Sequence, residues 1–243
     1  SFTGNIIHAH QYLGQEPFIG KRVMVVGNGP SGVDIASELG RSRQCEAVYL
    51  SQRTGVVLRP RYPYGLPKHA WTMIGEALPK PIGARLIKHI ESLKFGNLDK
   101  IGIRTPQTNA ESSAAGGTRG RELITAVKRK WVICVPAPDR FAGDRAVLAD
   151  GTELAVDVVI MGTGYRAVLH DYLKLDAPRD KADWLLREGQ DPQNIPTGKR
   201  QILGQRGLYE VGTFYQGKGT MYNINVEAQE AVNEILAQFK QSL

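Results

Sequence analysis

An apolar run that ends in a glycine-rich turn constrains this chain more than any other stretch. It reads Val23-Met24-Val25-Val26-Gly27-Asn28-Gly29-Pro30-Ser31-Gly32-Val33-Asp34, with glycines spaced as G-x-G-x-x-G. A buried strand, a tight turn and a helix N-terminus in that order make a dinucleotide site, because the helix start offers backbone N–H groups and a positive dipole end to phosphate. The first glycine permits the turn, the second lets pyrophosphate reach the backbone, and the third lets helix and strand pack closely. The spacing alone is a weak signal, and a structural glycine turn is the alternative. The strand before it and the helical pattern after it give it weight. Gly27, Asn28, Gly29, Pro30, Ser31 and Gly32 are the candidate pyrophosphate-binding residues.

The next elements address which dinucleotide. Val33, Ile35, Ala36 and Leu39 mark a helix over 30–40, with Pro30 tolerated in its first turn and Gly40 as its expected stop. Ala47–Leu50 reads as the following strand and ends in Ser51-Gln52-Arg53. An NAD site places a carboxylate near this point to accept from the ribose 2′-hydroxyl. Here no acid is present, and arginine offers a planar, charged set of donors to a 2′-phosphate. Ser51, Gln52 and Arg53 are therefore candidates for binding NADP(H), against the ordinary alternative of a solvated surface arginine.

Composition bounds the remaining classes. At 243 residues, one domain plus an appendage is expected, and 42% hydrophobic with 23% charged residues is an ordinary globular balance. No apolar run approaches the roughly 18 residues of a membrane span. The start, Ser1-Phe2-Thr3-Gly4, shows no leader pattern, so a cytoplasmic location is expected. Cys45 and Cys134 make no C-x-x-C, which leaves a redox dithiol and a zinc site unsupported. The net charge of +7 comes from scattered Lys and Arg without interleaved aromatics, which speaks for an anionic cofactor and against nucleic acid.

Further segments fill in the outline. Residues 54–81 are rich in proline and aromatics, and the formal Y-x-x-x-K of Tyr64 and Lys68 is discounted because Gly65 and Pro67 lie between them. Residues 82–95 are amphipathic at helical spacing, 104–120 read as a loop, and 131–135 read as a strand. A hairpin over 146–154 turns at Asp150-Gly151. Residues 166–203 resist assignment, 207–212 read as strand and turn, and 225–239 as a helix.

Two flanking motifs carry a resemblance. Phe2, Gly4, His8 and Tyr12 fit F-x-G-x-x-x-H-x-x-x-Y, just upstream of the glycine turn. Val156–Tyr165 reads as a buried strand ending in Thr163-Gly164-Tyr165. Together they resemble the identifying motif and the A-T-G-Y closure of the flavin-containing monooxygenases, the class B flavin-dependent monooxygenases, of the YUCCA-like type. Leu13 stands where the family usually has a basic residue, and Gly162 where it has Ala.

The resemblance implies an α/β fold: a Rossmann-type NADP-binding domain with flanking segments of an FAD-binding Rossmann-like domain. It divides the chain into a linker motif (1–12), the NADP-binding domain (13–165) and the C-terminal part of the FAD-binding domain (166–243). The family begins with a further strand–G-x-G-x-x-G–helix unit that holds FAD, and none precedes residue 27 here. The chain is thus expected to be a fragment or a natural truncation lacking that half. The activity implied is NADPH reduction of FAD, then oxygenation of a small organic substrate by the C4a-hydroperoxide formed with dioxygen. Thr163, Gly164 and Tyr165 would border the cofactor cleft, and no catalytic residue is assigned. A non-catalytic NADP-binding module or redox-sensor subunit is the alternative, and homo-oligomerisation is left open.

Overall fold

The computed structural model describes residues 2–106, 117–165, 200–212 and 220–241. In chain order its strands and helices are β1 (Asn5–His8), β2 (Arg22–Val26), α1 (Pro30–Ser42), β3 (Ala47–Gln52), β4 (Val57–Arg59), α2 (Lys68–Ala77), α3 (Lys80–Ser92), β5 (Gly117–Arg119), α4 (Glu122–Lys128), β6 (Ile133–Pro136), β7 (Pro138–Ala142), β8 (Arg145–Leu148), β9 (Glu153–Ala155), β10 (Val158–Met161) and α5 (Thr220–Gln241). They fall into two compact units, Ser1–Leu66 with His89–Gly164, and Pro67–Lys88 with Tyr165–Leu243.

The first unit is built on a five-stranded sheet in the order β1-β10-β2-β3-β6, parallel throughout. Its central strand β2 is apolar without alternation because both faces are covered. Successive side chains point to opposite faces. Val23 and Val25 therefore join the core under α1 and α4 with Val33, Leu39, Leu123 and Ala126, and Met24 joins Ala146, Leu148, Val156 and Val159 beneath the other face. That second face is covered by an antiparallel meander, β7-β8-β9. The expected hairpin is its second half: Asp150 Oδ1 accepts from the Thr152 N–H at 3.0 Å to shape the β8–β9 turn. β4 and β5 pair as a separate parallel ribbon.

Two local readings shift, and the discounted Tyr64 and Lys68 pair stays discounted. Gly40 does not end α1, which runs on to Ser42 and is capped by Arg43 in the left-handed region at φ 56°. Gly40 is instead a packing glycine, since a Cβ there would lie 2.5 Å from Cγ2 of Val132. The identifying motif contains a core strand, β1, which pairs with β10 at the sheet edge. Tyr64 adopts φ 49° outside any α-helix, so Tyr64 and Lys68 do not share a helical face.

In the second unit, α5 presents Glu227, Glu230 and Glu234 along one side, at spacings that share a helix face. They hold Arg200, which is 1% exposed. Its Nε donates to Glu230 Oε2 at 2.7 Å, its Nη1 lies 3.6 Å from Glu227 Oε1, and Glu234 Oε2 accepts from the Gln201 N–H at 3.1 Å. A buried arginine requires such paired carboxylates, because an uncompensated interior charge is strongly destabilising. The expected strand near 207–212 is reduced to an isolated bridge between Gln201 and Tyr209. Residues 166–199, most of the segment without an assignment from sequence, lie outside the described residues.

Candidate functional site

Beside β2, the sheet continues through β3 on one side and β10 on the other, so the strand order reverses there. In open α/β sheets ligands bind in the crevice at the carboxyl ends of such strands. The glycine turn occupies that point. Gly27 sits at φ +109°, and a Cβ on it would lie 2.4 Å from the Gly162 carbonyl oxygen. A Cβ on Gly32 would lie 1.9 Å from the Gly27 oxygen. These two glycines let α1 and the end of β10 close on the turn, with the Gly162 N–H donating to Val26 O at 2.7 Å. Around Gly29 nothing lies within 4 Å of where a Cβ would be, so this backbone faces open space.

Gly29 caps α1 and Pro30 opens it. The Val33 N–H bonds back to Gly29 O at 3.0 Å. Helix geometry leaves the preceding amides, of Ser31 and Gly32, without an acceptor in an earlier turn. Those donors and the helix dipole suit an anionic group. Asn28 is buried and turns away from that role: its Nδ2 donates to Gly55 O and ties the turn to the loop after β3.

At the end of β3 the three candidates separate. Ser51 and Gln52 are buried, whereas Arg53 is exposed. Gln52 Oε1 accepts from the Arg104 N–H at 2.7 Å, and its Nε2 donates to Cys134 Sγ at 3.2 Å. Arg104, also exposed, donates from Nη1 to Arg53 O at 2.8 Å, and its own carbonyl accepts from the Val56 N–H at 2.9 Å. The structure thus brings a second guanidinium to Arg53. The sequence reading missed it because 51 residues separate the two. No local signal in the sequence marks Arg104, since only the fold brings its loop to Arg53. Burial pushes the Cys134 thiol up to about 12 and raises that of Cys45. Both thiols stay protonated at neutral pH, which removes thiolate chemistry.

The flanking motifs converge from the other side. Thr163, Gly164 and Tyr165 are exposed at the end of β10, with Tyr165 the first residue of the second unit's C-terminal portion. His8, at the end of β1, lies with Nε2 at 3.2 Å from Gly164 O. Its Nδ1 accepts from the His10 N–H at 3.2 Å. An acceptor at Nδ1 places the neutral ring's proton on Nε2, which then donates to Gly164. Tyr12 stacks on Phe18 with ring centroids 5.6 Å apart. Burial, then the Glu38 carboxylate, push its phenol upward, so it stays protonated. Phe2 and Gly4 lie at the other end of β1, away from the crevice: Phe2 packs on Phe141 at 5.3 Å, and Gly4 N-terminally flanks β1 against the Asp157 carbonyl. The motif thus serves as a structural strand, with His8 alone reaching the crevice.

Among the described residues no cluster of His, Cys, Asp and Glu could hold a metal ion, and no helix is long and apolar enough to cross a membrane. What the crevice offers is backbone N–H groups, open space at Gly29 and two exposed arginines, the donor set of a site for an extended, phosphate-bearing ligand.

A profile of the flavin-binding monooxygenase-like family matches residues 1–177. Indole-3-pyruvate monooxygenase YUCCA8 of Oryza sativa subsp. indica is 26% identical over 99% of this chain and 56% of its own length. Indole-3-pyruvate monooxygenase YUCCA1 of Oryza sativa subsp. japonica is 29% identical over 89% of this chain and 52% of its own. The chain spans about half the length of the curated relatives it matches. Among solved structures, a flavin-containing monooxygenase from Stenotrophomonas maltophilia superposes with a TM-score of 0.56 at 21% identity, over 98% of this chain and 56% of that one, a likeness of fold. With its profile match covering most of the sequence, the chain belongs to the flavin-binding monooxygenase-like family.

Proposed function

We propose that this chain is the NADPH-binding portion of a flavin-dependent monooxygenase. The observation that carries the reading is the glycine turn of β2, open at Gly29, beside two exposed arginines and no carboxylate at the end of β3. Gly27 and Gly32 shape the turn, and Gly29 with the Ser31 and Gly32 amides faces the pyrophosphate. Arg53 and Arg104 take the 2′-phosphate, Asn28 braces the loop through Gly55, and His8 orients the Gly164 turn at the crevice rim. Thr163 and Tyr165 border the cleft. When bound, NADPH and FAD supply hydride transfer and the oxygenation of a small organic substrate with dioxygen, while the protein binds and orients them. FAD needs residues from a further flavin-binding half. The similarity to indole-3-pyruvate monooxygenases supports an organic acid bearing a carbonyl group as the substrate class.

Arg53→Ala tests the reading. A charge-assisted contact to phosphate is worth about 1.5–3 kcal/mol, so the Kd for NADPH rises about 10- to 150-fold while that for NADH changes less than about twofold. Calorimetric titration of both cofactors measures this, and equal losses for the two would overturn the 2′-phosphate assignment.

A further inference from the structure

Gln52 invites direct contact with cofactor when read from sequence, yet it is 4% exposed and both ends of its amide are engaged inside the protein. Its partners come from two distant segments, Arg104 at a separation of 52 residues and Cys134 at 82. The orientation of the amide is fixed by chemistry: the Arg104 backbone N–H can only donate, so the oxygen must face it and the –NH2 must face the sulfur. The segment that receives this bond is held at further points. Arg104 O accepts from Val56 at 2.9 Å, Ile103 N–H donates to Leu98 O at 3.2 Å, and Thr105 N–H donates to Asp99 Oδ1 at 2.9 Å. Ile103 itself is fully buried. The outcome is an arginine whose backbone is fixed while its guanidinium stays exposed, bonded to the carbonyl of Arg53.

We infer that Gln52 is a positioning residue for cofactor choice: its buried carboxamide sets the Arg104 backbone so that the Arg104 guanidinium stands against the Arg53 main chain at the end of β3. The inference rests on the proposed binding of NADPH at this crevice. Gln52 touches no part of the cofactor; it acts through Arg104. Pre-set donors gain affinity because the ordering of a long side chain and its loop is not charged to the binding step. NADH, without the 2′-phosphate, does not draw on this arrangement.

Two variants withdraw the acceptor. Gln52→Met is close in volume and lacks it, and Gln52→Asn keeps the amide but is one methylene short of Arg104. Loss of one buried hydrogen bond corresponds to about a 3- to 10-fold weakening of NADPH binding, with NADH binding within about twofold of the parent. Hydrogen exchange at the Arg104 amide accelerates in the same variants, a readout that a general loss of stability would spread over the whole sheet. Either variant suffices if the other does not fold. A folded variant that keeps the parent's NADPH-to-NADH ratio, or the parent's Arg104 exchange, overturns the inference. Arg53→Ala separates the two levels. If it leaves the cofactor ratio unchanged, the crevice does not read the 2′-phosphate. If it collapses the ratio while the Gln52 variants do not, only the role of Gln52 fails.

Discussion

The two edges of the parallel sheet are finished in opposite ways. At the carboxyl ends of its strands, the first unit presents backbone: the turn at Gly27, the open face at Gly29 and the exposed Thr163 and Gly164. At the amino ends, one carboxylate closes the structure. Asp157, just before β10, accepts from the Arg22 N–H at 2.7 Å and from its guanidinium at 3.1 and 2.6 Å. The Asp157 carbonyl accepts from the Asn5 N–H at 3.0 Å, so this residue joins β10, β2 and β1. At the amino ends Asp157 and Arg22 are paired within the protein, and at the crevice the donors are left to glycine and to a helix N-terminus. The difference teaches where to cut: the clasp edge should yield changes in stability, and the crevice edge should separate stability from binding.

The harshest test of the comparison is Gly32→Ala. Its Cβ would be placed 1.9 Å from the Gly27 oxygen and 2.9 Å from the Gly27 carbonyl carbon, backbone atoms that have little freedom to give way. Overpacking of this kind should cost upwards of about 3 kcal/mol, seen as a large fall in melting temperature together with lost NADPH binding. A variant that melts like the parent would mean the turn is not closed as described. Gly29→Ala sharpens the contrast. The new methyl meets open space at an ordinary φ of −70°. Stability should change by less than about 1 kcal/mol, the scale of an N-cap substitution. NADPH and NADH affinities should both drop, by roughly tenfold or more, since backbone approach to pyrophosphate is blocked for either. Undiminished affinity would remove pyrophosphate from this turn.

Asp157→Asn probes the other edge and should have the smallest effect on cofactor binding, its loss falling on stability at neutral pH. The Arg22 guanidinium, then the Arg22 backbone N–H, hold the Asp157 carboxyl down at about 2. Because folding lowers this pKa, the linked stabilisation is complete above the ordinary aspartate value of about 3.9 and is lost as pH falls through about 2. The parent's melting temperature should therefore fall more steeply between about pH 4 and 2 than that of the variant. NADPH affinity at pH 7 should not change. Acid-melting profiles that superimpose would show that the clasp carries no linked stability.

Legibility from sequence followed the range of the interactions. The strand over 23–26, the helix after it and the strand ending at Ser51 were legible, because each is written in a few consecutive residues. The glycine turn was legible for the same reason, although Gly40 was not: whether a glycine stops a helix or lets Val132 approach depends on a residue 92 positions along the chain. At the end of β3, Ser51, Gln52 and Arg53 read alike, as three polar neighbours. The pleat and the edge of the core decide that Ser51 and Gln52 turn in and Arg53 turns out. Arg104 was invisible to any local rule, since only the fold brings its loop to Arg53.

The pairing of β1 with β10 sets an order of events during synthesis. Asn5 has its partner in Val158, and Ile7 in Ile160. At about 5–20 residues per second, β1 waits on the order of 8–30 seconds for the strand it will join. Through that interval Ile6 and Ile7 lie without their place in the sheet. Although β1 precedes the other strands of its sheet, it is among the last to be placed, and the unit closes when Asp157 arrives to hold Arg22 and Asn5. A pulse of protease during translation should therefore cut near residues 5–8 until the chain has passed residue 161, and spare them afterwards.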